Sequence, residues 1–162
     1  MSHVGRETAE RADGARVIAL PPLLYGVAFV LGLGLNALRP APIFAANVGV
    51  IIGAPVLVLG GFLARWGNRV MRHAGTSTDP RRATTYLVVS GPFRFSRNPL
   101  YVARTLLYVG LALIMDTFWP LATLIPMLVI VQRGVIRREE RYLERKFGTA
   151  YEEYRARVRR WV

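Results

Sequence analysis

The sequence predicts an all-α integral membrane protein with about four transmembrane helices and a cytoplasmic, amphipathic helical segment after the last of them. The chain has 162 residues, 52% of them hydrophobic, and a mean hydropathy of +0.29 despite a net charge of +12. The apolar residues fall in long runs, each about the 20 residues that cross a ~30 Å hydrocarbon core. The charged residues fall between and after those runs. At this length one domain is expected.

Four apolar runs give the predicted spans, at residues 17–38, 43–64, 100–115 and 118–134. The last two come from a single apolar region that is too long for one span. Asp116, followed closely by Trp119-Pro120, marks a tight turn within that region, so we interpret it as a helical hairpin. The first run is longer than the apolar part of a signal peptide, and we therefore expect it to be a span.

The basic residues predict the orientation of these spans. Of the 22 basic residues, 20 lie before the first span, in the polar stretch of residues 65–99, or from Arg133 onward. The positive-inside rule therefore places both termini and the polar stretch in the cytoplasm. The excess charge then faces a bilayer with anionic lipid. This interpretation argues against nucleic acid as a partner, which a charge of +12 would favour in a soluble protein.

The residue content excludes or limits several kinds of catalytic and metal site. The chain has no cysteine, which excludes disulfides, thiolate nucleophiles and thiolate metal ligands. The two histidines, His3 and His73, are far apart in the sequence, so no metal site is expected. Lys146 is the one lysine, which leaves a single candidate for amine chemistry.

Polar residues mark one face of the third predicted span. Asn98, Tyr101, Thr105 and Tyr108 recur at helical spacing from its cytoplasmic end. Because lipid cannot satisfy their hydrogen bonds, this polar stripe faces either a cavity or a neighbouring helix. Arg104, about one turn into the span, either snorkels to the interface or takes part in catalysis.

A charged helix is predicted to continue out of the fourth span. Glu139 and Glu140 border its apolar face, where carboxylates are costly unless a cationic group meets them. That group is either an ordinary helix neighbour such as Arg137 or a ligand. Gly148 predicts the end of this helix. An amphipathic interfacial helix follows, with its apolar positions at Tyr151, Tyr154, Val158 and Trp161.

Two motifs in this order resemble the isoprenylcysteine carboxyl methyltransferase family and the related integral-membrane phospholipid methyltransferases, in a bacterial-type form. The motif residues are Gly91-Pro92-Phe93-Arg94, Ser96-Arg97-Asn98-Pro99 and Tyr101, then Arg138-Glu139-Glu140, Leu143, Phe147-Gly148, Tyr151, Tyr154 and Val158. The resemblance covers roughly residues 66–162. It implies a bacterial inner-membrane methyltransferase with S-adenosylmethionine as cofactor, bound between the last two spans and the cytoplasmic end of the chain.

The resemblance also implies roles for individual residues. Arg94 or Arg97 would hold the cofactor carboxylate, and Glu139 or Glu140 would accept from its ammonium or ribose. Glu140 and Arg104 are the expected catalytic residues, with Glu140 as the base for an amine acceptor. We predict that Glu140→Gln weakens cofactor binding more than Glu139→Gln. The residues expected to bind the cofactor are Leu87, Val88, Gly91, Arg94, Arg97, Asn98, Pro99, Tyr101, Glu139 and Glu140.

One departure from the family pattern concerns acid–base chemistry. Eukaryotic members have histidine where this chain has Asn98, and asparagine forms hydrogen bonds but does not titrate near neutral pH. We therefore expect this position to bind rather than to transfer a proton. The expected acceptor is lipophilic and enters from the bilayer, as an isoprenoid or prenylcysteine-like carboxylate, a phospholipid amine or a small thiol.

The chain accordingly divides into a cytoplasmic tail (residues 1–16), two transmembrane helices (residues 17–64) and a methyltransferase core (residues 65–162). Two other functions stay open from the sequence. One is an NADPH-dependent membrane reductase of the sterol-reductase type, which usually has more spans. The other is a basic membrane protein without enzymatic activity that organises anionic lipid.

Overall fold

A computed structural model describes residues 20–44, 47–76 and 84–162. The predicted tail, the first residues of the first predicted span and residues 77–83 of the polar stretch lie outside the described residues. The structure contains α1 (Pro21–Leu38), α2 (Val48–His73), α3 (Pro99–Ile114), α4 (Phe118–Val131), α5 (Arg137–Phe147) and α6 (Thr149–Arg157), with a 3-10 turn at Gly91–Arg94 and a π-helical segment at Gln132–Ile136. The described ranges contain no strand, and the predicted all-α class is confirmed.

Three helices are long and apolar enough to cross a membrane: Pro21–Leu38, Val48–His73 and Phe118–Phe147. The third of these is continuous through α4, the π-helical segment and α5. The helix α3 is apolar but has 16 residues, which at 1.5 Å per residue is about 24 Å. The predicted hairpin is present as α3 and α4, whereas the count of four full spans is not confirmed.

The four apolar helices pack in two pairs, α2 along α3 and α1 along α4. Between the pairs lies a buried cluster that includes Tyr25 of α1, Tyr101 and Tyr108 of α3, and Met127 of α4. The outer surfaces stay apolar. For example, Val30, Ile51 and Ile125 are 67–70% exposed. A continuous apolar exterior of this kind indicates contact with lipid rather than water.

Asp116 ties the two loops at one end of the helices together. It has φ 48° in the turn between α3 and α4. Its Oδ1 accepts hydrogen bonds from the backbone N–H groups of Ile43 and Phe44, each at 2.9 Å. The turn predicted at Asp116 is therefore present. Its carboxylate also organises the loop between α1 and α2.

Glycines allow α2 and α3 to approach closely. A Cβ atom on Gly110 would lie 2.6 Å from the backbone nitrogen of Leu57, and one on Gly53 would lie 2.7 Å from the carbonyl oxygen of Gly110. Small residues at such contacts let membrane helices pack backbone to backbone.

Gly110→Ala is expected to lower the thermal unfolding temperature in detergent, because the new methyl group forces α2 and α3 apart. Overpacking of this kind costs about 1–3 kcal/mol. Gly61→Ala is the matched control, since a Cβ atom there meets nothing within 4 Å. Equal unfolding temperatures for the two variants would contradict the close approach of these helices.

The predicted amphipathic helix is shorter than the apolar periodicity indicates. The helix α6 ends at Arg157, and Val158 is extended with φ −120° and ψ 130°. The extension of the helical pattern to Val158 and Trp161 is therefore wrong. Residues 158–162 leave the helix and form a strap across the beginnings of α3 and α5.

Candidate active site

A cavity lies where the end of α2, the 3-10 turn, α5 and α6 meet. Its interior volume is about 70 Å³. Its lining combines apolar side chains with one guanidinium and two carboxylates. A cavity of this composition suits a charged, partly apolar small molecule.

The 3-10 turn and the start of α3 form one wall of this cavity. Gly91 has φ 59°, and a Cβ atom there would lie 2.8 Å from Val70 Cγ2. Asn98 stands at the N-cap of α3, before Pro99, and its backbone N–H donates to Ser96 Oγ at 3.1 Å. These contacts fix the segment that carries Arg97 and Asn98.

Arg97 is the cationic side chain among the described residues that line the cavity. Its side chain is 9% exposed, and its Nη1 lies 3.3 Å from Glu140 Oε1. This contact lacks hydrogen-bond geometry, so the Nε and Nη1 donors have no hydrogen-bond acceptor among the described residues. Buried donors without acceptors are costly. An anionic ligand group would satisfy them through charge-assisted hydrogen bonds.

Glu140 is held by the strap. Arg160 donates to its two carboxylate oxygens, from Nε at 2.9 Å and from Nη2 at 2.8 Å. This hydrogen bond raises the pKa of Arg160. With Arg97 close by, Glu140 lies between two guanidinium groups and fixes the strap against α5.

Glu139 has different surroundings. Its Oε2 accepts a hydrogen bond from the hydroxyl of Tyr101 at 3.1 Å. The guanidinium of Arg104 lies 5.3 Å from the centre of the Tyr101 ring, within range of a cation–π contact. Arg104 therefore contacts Tyr101, the hydrogen-bond partner of Glu139, and does not belong to the cavity lining.

Two tyrosines of α6 close the cavity. Tyr151 is 1% exposed and Tyr154 is 5% exposed. The hydroxyl of Tyr154 donates to the carbonyl oxygen of Phe93 at 2.7 Å, which ties α6 to the 3-10 turn. Burial raises the pKa of Tyr151 and of Tyr154. Both hydroxyls therefore stay neutral near Arg97.

The sequence left open whether the polar stripe of α3 faces a cavity or a neighbouring helix, and the structure shows both. At its first turn, Asn98 lines the cavity and donates through Nδ2 to the carbonyl oxygen of Arg160 at 3.0 Å. Further along, Thr105 shares a hydrogen bond with Tyr25 of α1 at 2.9 Å. Tyr108 donates to the carbonyl oxygen of Pro120 at 2.9 Å. The stripe is therefore part of the cavity at one end and joins helices further in.

The structure brings six of the sequence-predicted site residues together in the cavity lining: Leu87, Val88, Arg97, Asn98, Glu139 and Glu140. The other predicted residues lie outside that lining. Gly91 begins the 3-10 turn, Pro99 begins α3, Tyr101 donates to Glu139, and Arg104 lies over the Tyr101 ring. Arg94 is exposed. Of the two arginines that the sequence left open for the cofactor carboxylate, Arg97 is the one in the cavity.

Sequence reasoning missed a second group of lining residues: Met71, Thr76, Thr84, Tyr86, Phe93, Leu143, Tyr151 and Tyr154. The sequence pattern places the tyrosines of α6 at the membrane interface, because an apolar helical face does not reveal what covers it. Arg160 was missed as well. No local signal identifies it, since its partner Glu140 is distant in the sequence.

Comparison with known proteins places most of this architecture in one family. The family model described as phospholipid methyltransferase matches residues 48–150. The match begins at the first residue of α2 and ends within α6, so α1 and the strap lie outside it. No curated protein matches the chain.

Proposed function

The chain belongs to the phospholipid methyltransferase family, and we propose that it transfers the methyl group of S-adenosylmethionine to a lipid-like acceptor at the cytoplasmic face of its membrane. The family supports a membrane methyltransferase. The cofactor, the acceptor and the face of the membrane are proposals that follow from the residues of the cavity.

The observation that carries the proposal is the buried guanidinium of Arg97, whose Nε and Nη1 donors have no hydrogen-bond acceptor in the described part of the chain. The amino-acid end of S-adenosylmethionine carries a carboxylate and an ammonium group. Arg97 would hold the carboxylate, and Glu139, which lines the same cavity, would accept from the ammonium or the ribose hydroxyls. Tyr86, Leu87 and Val88 would cover the adenine.

The reaction requires little acid–base or nucleophilic chemistry from the protein itself. When bound, S-adenosylmethionine supplies an electrophilic methyl group on its sulfonium. The protein has to position the acceptor in line and exclude water. The buried rings of Tyr151 and Tyr154 would exclude water. An amine acceptor must also lose a proton, and Glu139 or Glu140 would accept it.

The outer face of α2 supports the proposed orientation. Opposite the glycines that pack on α3, this face is apolar at Val58 and Phe62, which are 70% and 63% exposed. The same face continues with the exposed residues Arg65, Arg69 and Arg72. Lipid chains along the apolar part would bring headgroup phosphates to the arginines. These arginines lie at the same end of the helices as the cavity, because Met71 lines it.

S-Adenosylmethionine and its demethylated product are each expected to raise the unfolding temperature of the detergent-solubilised protein, because a ligand that binds only the folded state stabilises it. NADPH is expected to leave the unfolding temperature unchanged. A response to NADPH alone would favour the membrane reductase, and no response to any of the three would overturn the proposed function.

The acceptor is identified by transfer of labelled methyl from S-adenosylmethionine into a total lipid extract. The protein is expected to label a component of the organic phase. The Arg97→Leu variant, prepared in the same way, controls for a contaminating methyltransferase.

A further inference from the structure

The outer face of α2 changes from apolar to basic along one helical stripe. Its apolar part is exposed at Val58 and Phe62. Its basic part, the α2 basic cluster, consists of four exposed residues that line one open recess: Arg65, Arg69, Arg72 and His73. Steps of three or four residues keep all these positions on one side of the helix. The stripe therefore has the polarity profile of a phospholipid, with chains followed by a charged headgroup.

The length of α2 places the α2 basic cluster at the level of the lipid headgroups. The helix has 26 residues, which at 1.5 Å per residue is about 39 Å. A hydrocarbon core of ~30 Å therefore covers about 20 residues from Val48 onward and ends near Gly67. Trp66, which is 36% exposed, lies at this boundary, where tryptophan is enriched in membrane proteins. Arg65 reaches the headgroups by extending its stem along the helix.

The α2 basic cluster has no counterion in the described part of the chain. No carboxylate there lies within ion-pair distance of Arg65, Arg69 or Arg72. The exposed arginines of α6 differ, since Arg155, for example, pairs with Glu144 at 3.0 Å. Cations that line one recess repel one another unless an anion lies among them. The α2 basic cluster is therefore complementary to an anionic group of a ligand.

We propose that the α2 basic cluster is a selective binding site for the headgroup of an anionic phospholipid. The phosphate of the lipid would lie in the recess, where guanidinium groups donate charge-assisted hydrogen bonds to it. The chains would lie along the apolar part of the stripe, at Val58 and Phe62. A zwitterionic phospholipid fits less well, because the cationic end of its headgroup would also face the four basic side chains. None of these four residues lines the cavity, so the site is independent of the cofactor and the acceptor of the proposed function.

Fluorescence quenching by brominated lipids measures this selectivity. The chain has three tryptophans, so the double variant Trp119→Phe/Trp161→Phe reports on Trp66 alone, beside the α2 basic cluster. The reporter is reconstituted in phosphatidylcholine vesicles, and phosphatidylglycerol brominated on its chains is expected to quench Trp66 at a lower mole fraction than brominated phosphatidylcholine does. The binding constant of phosphatidylglycerol should be higher by at least about fivefold, the contribution of one arginine near an anionic surface. Equal quenching by the two lipids would overturn the inference.

Removal of the arginine charges tests whether the selectivity belongs to this recess. In the Trp66 reporter, the triple variant Arg65→Gln/Arg69→Gln/Arg72→Gln is expected to abolish the preference for phosphatidylglycerol. Because the three side chains are exposed, the unfolding temperature in a zwitterionic detergent should stay nearly unchanged, which shows that the variant is folded. A preference that persists in this variant would overturn the inference.

Two controls distinguish the lipid site from an effect of net charge and from a site for free phosphate. Arg137→Gln/Arg141→Gln/Arg145→Gln removes the same charge from exposed positions of α5 and is expected to keep the preference. An equal loss in this variant would show that net charge alone attracts the lipid. Inorganic phosphate, compared with chloride at equal ionic strength, is expected to leave the quenching unchanged, because it has no chains to bind the apolar part of the stripe. Reversal by phosphate would overturn the assignment of the recess to a lipid.

Discussion

Arg97→Leu is expected to abolish the stabilisation of the protein by S-adenosylmethionine. The change removes the guanidinium whose Nε and Nη1 donors have no acceptor in the described part of the chain. Losing one partner of a buried, charge-assisted hydrogen bond costs about 2–5 kcal/mol, which corresponds to at least roughly 30-fold in Kd. The measurement is cofactor binding by calorimetry in detergent, with thermal unfolding as the check on folding.

The protein is expected to fold without Arg97. Glu140 keeps both hydrogen bonds from Arg160, and leucine occupies much of the volume of the arginine stem. Arg94→Leu is the matched control. This arginine stands three residues earlier, is exposed, and lies outside the cavity lining. A larger loss of affinity with Arg94→Leu than with Arg97→Leu would show that the other candidate arginine holds the carboxylate.

The choice between these two arginines illustrates where sequence reasoning stops. The transmembrane helices follow from hydropathy alone, because lipid requires a long apolar run wherever a helix crosses it. The predicted and observed helices agree closely at the hairpin, where α3 and α4 begin at Pro99 and Phe118. Arg94 and Arg97, in contrast, lie in a 3-10 turn and the loop after it. No helical period indicates which of them points inward.

Other parts of the site depend on contacts between distant segments. Tyr151 and Tyr154 form an apolar face in the sequence, and that pattern is the same whether lipid or protein covers it. In the fold, Tyr154 reaches the carbonyl oxygen of Phe93. The π-helical segment also has no compositional signal, although such segments often occur at functional sites. It carries Gln132, the partner of Trp161.

The second large effect is expected from substitutions in the acidic pair of α5, Glu139 and Glu140. Glu140→Gln is expected to lower both the unfolding temperature and the affinity for S-adenosylmethionine, and to lower that affinity more than Glu139→Gln does. The sequence predicted this order from the position of Glu140 on the helical face. The contacts supply a further reason, because the carboxylate of Glu140 lies against two arginines and positions both the strap and Arg97.

The expected cost of Glu140→Gln is about 2–3 kcal/mol in the free energy of unfolding, at the low end for a broken buried ion pair. The low end applies because the Arg160 side chain is 33% exposed and regains water. Glu139→Gln keeps an oxygen that accepts from the hydroxyl of Tyr101. It should therefore leave the unfolding temperature nearly unchanged and reduce affinity only through the lost charge.

A double-mutant cycle separates the two roles of Glu140. If Glu140 acts by holding the strap, Arg160→Gln should cost stability in the original protein and little more in the Glu140→Gln background, since the pair is already broken. Additive losses would show that the two residues act independently. A greater loss of cofactor affinity with Glu139→Gln than with Glu140→Gln would make Glu139 the carboxylate on which binding depends. Such a result would assign Glu140 to the strap alone.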